Sequence, residues 1–194
     1  LETQVEKTGV DPEWPVQNVE HHKAHAAGAY YHSGFPESWI MTLDGEGDGY
    51  SCCFYRGTAH GGIEQVKGYY HNEVTVGRDY EKVTAMLGFH PLRHPGKVTG
   101  LAAYGKKNDA CIENLRDYLE AAWKKSRRKV LDSSEAYQII TDEGVELLRE
   151  HRQTIFGQYS REDLAFAIQW LSERKIQELI KANIPQIKQS NICL

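Results

Sequence analysis

Two stretches of this chain bring together residue types that do chemistry: His21-His22-Lys23-Ala24-His25 and, after two apolar runs, Leu43-Asp44-Gly45-Glu46-Gly47-Asp48-Gly49. A helix through the first stretch sets His21 and His25 one turn apart on one face, with Cβ atoms about 6 Å apart, so both imidazoles can converge on one ion. Two neutral nitrogen donors on a rigid helix and a carboxylate from a strand end form a three-ligand metal site with a position open for a substrate oxygen. Asp44, at the end of an apolar strand, is the expected third ligand. The spacing alone is equally met by histidines that hydrogen-bond locally or sit on a helix surface; Asp44 strengthens the metal reading without deciding it.

The glycines alternating with Asp44, Glu46 and Asp48 offer a second chemistry. Backbone N–H groups at Gly45, Gly47, Asp48 and Gly49 can line a concavity that accepts phosphate oxygens. An Asp-Gly hairpin turn demands glycine just as strongly, and Glu46 and Asp48 would repel phosphate unless a metal or a lysine intervened. A third motif is His94-Pro95-Gly96-Lys97-Val98-Thr99-Gly100-Leu101-Ala102-Ala103-Tyr104-Gly105. Its Pro-Gly turn feeds a short helix with Lys97 in the first turn, where a cation opposes the helix dipole but suits a bound anion. The alternative is a solvated lysine on a glycine-rich connector. His71, His90 and His94 read as satisfied or surface histidines, and Tyr69, Tyr70 and Tyr80 as core or groove walls.

The elements that must position these groups follow from periodicity and punctuation. An alanine-rich helix from His21 to Tyr31 ends at Ser33-Gly34-Phe35-Pro36. Three β-prone runs, Trp39–Leu43, Tyr50–Tyr55 and Ile63–Tyr70, separated by turn chemistry, predict an antiparallel meander. Helices are expected from Arg78 to Leu87, closing at Gly88, and from Lys97 to Tyr104, closing at Gly105, each glycine as a C′ residue. Amphipathic helices follow from Asn108 to Lys125 and from Asp142 to His151. A capping box at Ser160-Arg161-Glu162-Asp163 opens a last helix to about Ala182, with Leu164, Ile168, Leu171, Ile176, Leu179 and Ile180 in one stripe. A strand begins at Asn191-Ile192-Cys193-Leu194. Strands followed by helices predict an α/β layered domain, and there is no internal repeat or low-complexity segment.

Composition narrows the class. The chain has 194 residues, enough for one core, and a formal charge of −4. The polar opening from Leu1 to Pro15 shows no periodicity, and both ends read as cut from a longer domain. No apolar run spans a bilayer and nothing resembles a signal peptide. Its four cysteines are unevenly placed, with Cys52 and Cys53 expected on opposite faces of a strand, which predicts a reducing, cytoplasmic setting. The basic cluster Lys124–Lys129 reads as a solvated helix end, so nucleic acid is not an expected partner.

Four blocks occur in one order: Val19-Glu20-His21-His22-Lys23-Ala24-His25-Ala26-Ala27; Leu43-Asp44-Gly45-Glu46-Gly47-Asp48-Gly49; Gly77-Arg78-Asp79-Tyr80-Glu81-Lys82-Val83-Thr84 with Leu87-Gly88-Phe89; and Gly96-Lys97-Val98-Thr99-Gly100-Leu101-Ala102-Ala103-Tyr104-Gly105. Together they resemble the O-carbamoyltransferase family often called NodU/CmcH, whose catalytic domain is similar to the tRNA threonylcarbamoyladenosine transferases. The resemblance implies a partial domain of the actin and sugar-kinase (ribonuclease-H-like) superfold. Residues 1–158 would form most of a first subdomain with a helical insertion, and residues 159–194 a connecting helix and the start of a second. It implies a catalytic iron or zinc held by His21, His25 and Asp44, with a further aspartate from beyond Leu194. The loop Gly45–Gly49 would hold the carbamoyl and phosphate portion of a carbamoyl-adenylate, and Gly96-Lys97 would lie by the nucleotide. His22, beside the ion, would accept a proton from the acceptor hydroxyl, or else be a surface histidine.

The implied reaction is carbamoyl transfer from an adenylate, made from carbamoyl phosphate and ATP by a YrdC-like domain elsewhere in the protein, to a hydroxyl of a small molecule. Two departures from the family pattern are Pro95, where an acidic residue is usual, and the missing first superfold strand upstream of Leu1. Phosphoryl transfer on the same superfold is the alternative enzyme reading, disfavoured by imidazoles where magnesium takes carboxylates and water. A non-enzymatic metal-binding module is the alternative outside enzymes.

Overall fold

The computed structural model describes residues 17–130 and 142–194. The opening segment Leu1–Pro15 and the side chains of Lys124–Lys129 lie outside the described residues. Helix α1 spans His21–Ser33 and closes on Gly34 in the left-handed conformation, φ 72°, as its alanine content and terminal glycine require. Strands β1 (Glu37–Gly47), β2 (Tyr50–Thr58) and β3 (Gly62–Tyr70) form the antiparallel meander. β4 (Ile192–Cys193) pairs in parallel with β1, giving the sheet order β3-β2-β1-β4.

The first hairpin corrects the reading of the glycine loop. β1 continues through Gly45 and Gly47, with an irregular register after Leu43, and only Asp48 and Gly49 remain for the turn. Both have positive φ, 50° and 86°, as the central residues of a two-residue type I′ turn must.

Pleating divides the sheet into two faces. Ile40, Cys53, Tyr55 and Cys193 pack with Ala26 and Tyr30 of α1. Met41, Cys52 and Phe54 pack on the other side with Val74, Val76, Leu179 and Ile184. Adjacent Cys52 and Cys53 therefore enter different cores, as alternation predicts. A helical core joins α2 (Val76–Met86), α3 (Pro95–Ala102), α4 (Asp109–Val130), α5 (Asp142–Thr154) and α6 (Arg161–Asn183). Val83, Val98, Leu115, Phe156, Leu164 and Ile168 are buried there. The apolar stripe of α6 serves both: Leu164 and Ile168 pack among helices, and Leu179 with Ile176 and Ile180 packs under the sheet. The molecule is thus a mixed α/β fold, and among the described residues no helix is long and apolar enough to cross a membrane.

Two local expectations fail for identifiable reasons. Ser160 caps α6 by accepting from the Asp163 N–H at 2.9 Å, but the Asp163 carboxylate takes the Lys106 N–H at 2.9 Å instead of closing the box. Gly105 is not the C′ residue of α3, which ends at Ala102. It is glycine because a Cβ there would stand 2.1 Å from the Glu162 carbonyl oxygen.

Candidate metal centre

The face of β1 that meets α1 carries every second residue, and Ile40, Thr42 and Asp44 find partners on the helix. Ile40 packs with Ala26 and Tyr30. Thr42 Oγ1 lies 2.8 Å from His22 Nδ1. Asp44 Oδ2 lies 2.7 Å from His21 Nε2 and 3.6 Å from His25 Nε2. The two Nε2 atoms are 3.1 Å apart, so one donor atom from each residue falls within 4.8 Å of the others. Donors about 2 Å from a tetrahedral ion stand roughly 3.3 Å apart, close to the sides of this triangle. The residues expected to hold a metal are therefore brought together, with a geometry and donor set that fit one.

Three contacts fix the triangle. The Gly45 N–H donates to Asp44 Oδ1 at 2.6 Å, leaving Oδ2 for the imidazoles. The His21 N–H donates to Asp48 Oδ2 at 2.7 Å. The His21 ring lies on Gly47, where a Cβ would come within 2.0 Å of Cδ2. Burial pushes the Asp44 carboxyl up, but the His21 hydrogen bond, the Gly45 N–H and the charge of both imidazoles outweigh it and hold the carboxyl below its ordinary value. The side chains of His21, Asp44 and His25 remain 38%, 42% and 58% exposed, so the cluster is open to a further ligand.

The other expected site residues fall elsewhere. His22 is fully buried and donates from Nε2 to the Tyr50 carbonyl at 2.9 Å. Its Nδ1 lies 2.8 Å from Thr42 Oγ1. With both nitrogens engaged, His22 is not a free proton acceptor; it locks α1 to the hairpin. Gly47 is glycine because the His21 ring fills the place of a Cβ, and Gly77 is glycine because a Cβ there would come within 2.9 Å of Gly45 Cα. Gly96 and Lys97 open α3, which packs on α2 and α6, and the Lys97 ammonium sits over the Phe89 ring at 5.7 Å.

The family model described as "Carbamoyltransferase N-terminus" matches residues 6–194. The chain belongs to the carbamoyltransferase N-terminal family. Among curated relatives, an uncharacterized protein of Methanocaldococcus jannaschii is 34% identical over 129 residues, 59% of this chain and 20% of its own. An uncharacterized protein of Synechocystis is 24% identical over 189 residues, 93% of this chain and 30% of its own. A second M. jannaschii protein, also uncharacterized, is 30% identical over 100 residues, 52% of this chain and 19% of its own. The chain thus spans less than a third of the length of these relatives.

This member of the carbamoyltransferase N-terminal family holds further charged groups beside the cluster that spacing did not assign. Glu46, expected to repel phosphate, is ion-paired with Arg78 of α2. His71 donates from Nδ1 to the Gly49 carbonyl at 3.1 Å and lies 3.6 Å from Glu46 Oε1. Glu81 Oε1 is 3.2 Å from the position a Cβ would take on Gly45. Burial pushes the Glu81 carboxyl above its ordinary value; Asp44 adds to this, while Arg78 and Lys82 partly offset it. Glu81 stands four residues after Gly77 and three after Arg78, so it neighbours each of them on α2, a signal present in the third sequence block. A cleft of about 600 Å³, with Thr75, Asp79, Arg116, Trp170, Ser172 and Lys175 in its lining, contains none of the three converging donors. Donor chemistry, not cavity size, locates the candidate site.

Proposed function

We propose that this domain assists transfer of a carbamoyl group from carbamoyl-adenylate to a hydroxyl of a small-molecule acceptor, with iron or zinc held by His21, His25 and Asp44. The observation that carries the reading is the approach of those three donors to within 4.8 Å of one another in a chain of the carbamoyltransferase N-terminal family. Two imidazoles and one carboxylate suit zinc or iron better than magnesium. When bound, such an ion supplies Lewis-acid stabilisation of negative charge developing on oxygen.

The residues of the chain take the remaining roles. The acceptor hydroxyl oxygen bonds to the carbamoyl carbon, the carbon–phosphate-oxygen bond breaks, and AMP leaves with that electron pair. Glu81, beside Gly45 and with raised proton affinity, takes the hydroxyl proton, since a base of raised pKa works better near neutral pH. Arg78 neutralises Glu46, so the hairpin tolerates an adenylate phosphate nearby. Carbamoyl phosphate and ATP would be the precursors, and a YrdC-like domain of the longer protein the source of the adenylate.

Elemental analysis and metal titration of the chain, beside a His21→Ala, His25→Ala variant, test the site: one ion per chain, lost in the variant, is expected. In the full-length protein, ATP-dependent transfer from carbamoyl phosphate to hydroxylated acceptors falls with the same substitutions. Magnesium-only activity indifferent to His21 would favour phosphoryl transfer. Metal uptake without nucleotide-dependent chemistry would leave a metal-binding module.

A further inference from the structure

The metal reading depends on the His21 ring aiming at Asp44, and, resting on that reading, we infer that Asp48 is the positioning residue that aims it. Asp48 acts through the first backbone N–H of α1 and does not serve the phosphate contact expected of a glycine-rich loop.

A helix begins with N–H groups that lack intrahelical acceptors. The residue in the N-cap position of α1, Glu20, provides no side-chain cap; Tyr55 donates its hydroxyl to the Glu20 carboxylate at 3.3 Å. The acceptor comes instead from the hairpin tip, where Asp48 Oδ2 takes the His21 N–H at 2.7 Å. A carboxylate here also complements the positive end of the helix dipole.

The same hairpin therefore grips one residue at three points. Asp48 holds the His21 backbone, Asp44 holds ring atom Nε2 at 2.7 Å, and Gly47 lies against the ring. With the backbone nitrogen and the ring tied to one rigid turn, a change in the seat of α1 moves Nε2 relative to Oδ2. The backbone of Asp48 is suited to the task, because its φ of 50° is a conformation that aspartate and asparagine adopt more readily than other side chains.

The turn chemistry makes the inference separable. Asn-Gly and Gly-Gly both sustain a type I′ hairpin, but only asparagine matches aspartate as a cap acceptor. Zinc affinity of the full chain, measured by competition with a chromophoric chelator, is expected to stay within about twofold in Asp48→Asn and to weaken by about tenfold in Asp48→Gly. In metal-free protein, nitrogen-15 NMR should show the His21 ring hydrogen bond to Asp44 and a slowly exchanging His21 amide in wild type and Asp48→Asn, and neither in Asp48→Gly. Asp48→Gly behaving as wild type, or Asp48→Asn as weak as Asp48→Gly, would overturn the inference. If the wild type takes up no zinc, the metal reading fails, while the metal-free spectra still decide what Asp48 does.

Discussion

Placing a methyl group under the His21 ring separates the architecture of the site from the stability of the fold. In Gly47→Ala the new Cβ would stand 2.0 Å from Cδ2, 2.4 Å from Cγ and 2.6 Å from Nε2 of His21. Carbon contacts are comfortable at about 3.5–4.0 Å, so the ring must retreat by roughly 1.5 Å. The ring gives way before the backbone does, because the side chain is 38% exposed. A retreat of that size breaks the 2.7 Å approach of Nε2 to Asp44, since a hydrogen bond does not survive much beyond about 3.5 Å. Losing this part-exposed bond costs about 1 kcal/mol. Gly47 is not one of the glycines with positive φ, so alanine also narrows the unfolded ensemble, worth about 0.4–1 kcal/mol in the opposite direction. Net stability should therefore barely change. Metal affinity should fall by about 10- to 100-fold, the range for disturbing a group that orients a ligand. Urea unfolding of the metal-free chain and chelator competition for zinc read the two quantities separately. Wild-type affinity in Gly47→Ala, where His21→Ala has lost binding, would refute the reasoning; so would a collapse in stability.

Glu46→Ala removes one carboxylate partner from Arg78 where the two side chains are only 11% and 19% exposed, and should cost about 3 kcal/mol in urea unfolding; a loss below about 1 kcal/mol, as for a surface pair, would contradict this. Glu81 keeps its proton to higher pH in the folded than in the unfolded chain, so the stability carried by its protonated form is complete at low pH and lost as pH rises through the folded value. Glu81→Gln, neutral throughout, should therefore melt above wild type at neutral pH and converge with it below about pH 4, while carbamoyl transfer by the full-length protein drops about 100-fold or more; a lower melting temperature at neutral pH would count against it. Burial, first among the causes, pushes the Cys52 thiol up to about 12 and those of Cys53 and Cys111 to about 11. These thiols should ignore a chromogenic disulfide reagent at about pH 8 until denaturant is added, and rapid native reaction would show that the cores open.

Much of this arrangement was legible in the chain because its signals are local. Helical periodicity put His21 and His25 on one face, alternation put Cys52 and Cys53 on two, and terminal glycines marked the ends of α1 and α2. The carboxylate that follows the first apolar strand run is visible in the sequence, as are the four ordered blocks that resemble the family, although β1 runs past Asp44 to Gly47. Only the tertiary structure decided which face of β1 receives α1, and that choice turned Thr42 into the partner of His22 and Asp44 into the partner of His21. It also converted three glycines from presumed loop or cap residues into places of close approach, Gly45 to α2, Gly47 to an imidazole and Gly105 to the backbone of α6. The pairing of Arg78 with Glu46 and the capping of α1 by Asp48 link residues 32 and 27 positions apart. Periodicity reports the direction of a side chain relative to its own element; its partner depends on how separate elements dock, and docking is set by the packing of all their faces at once.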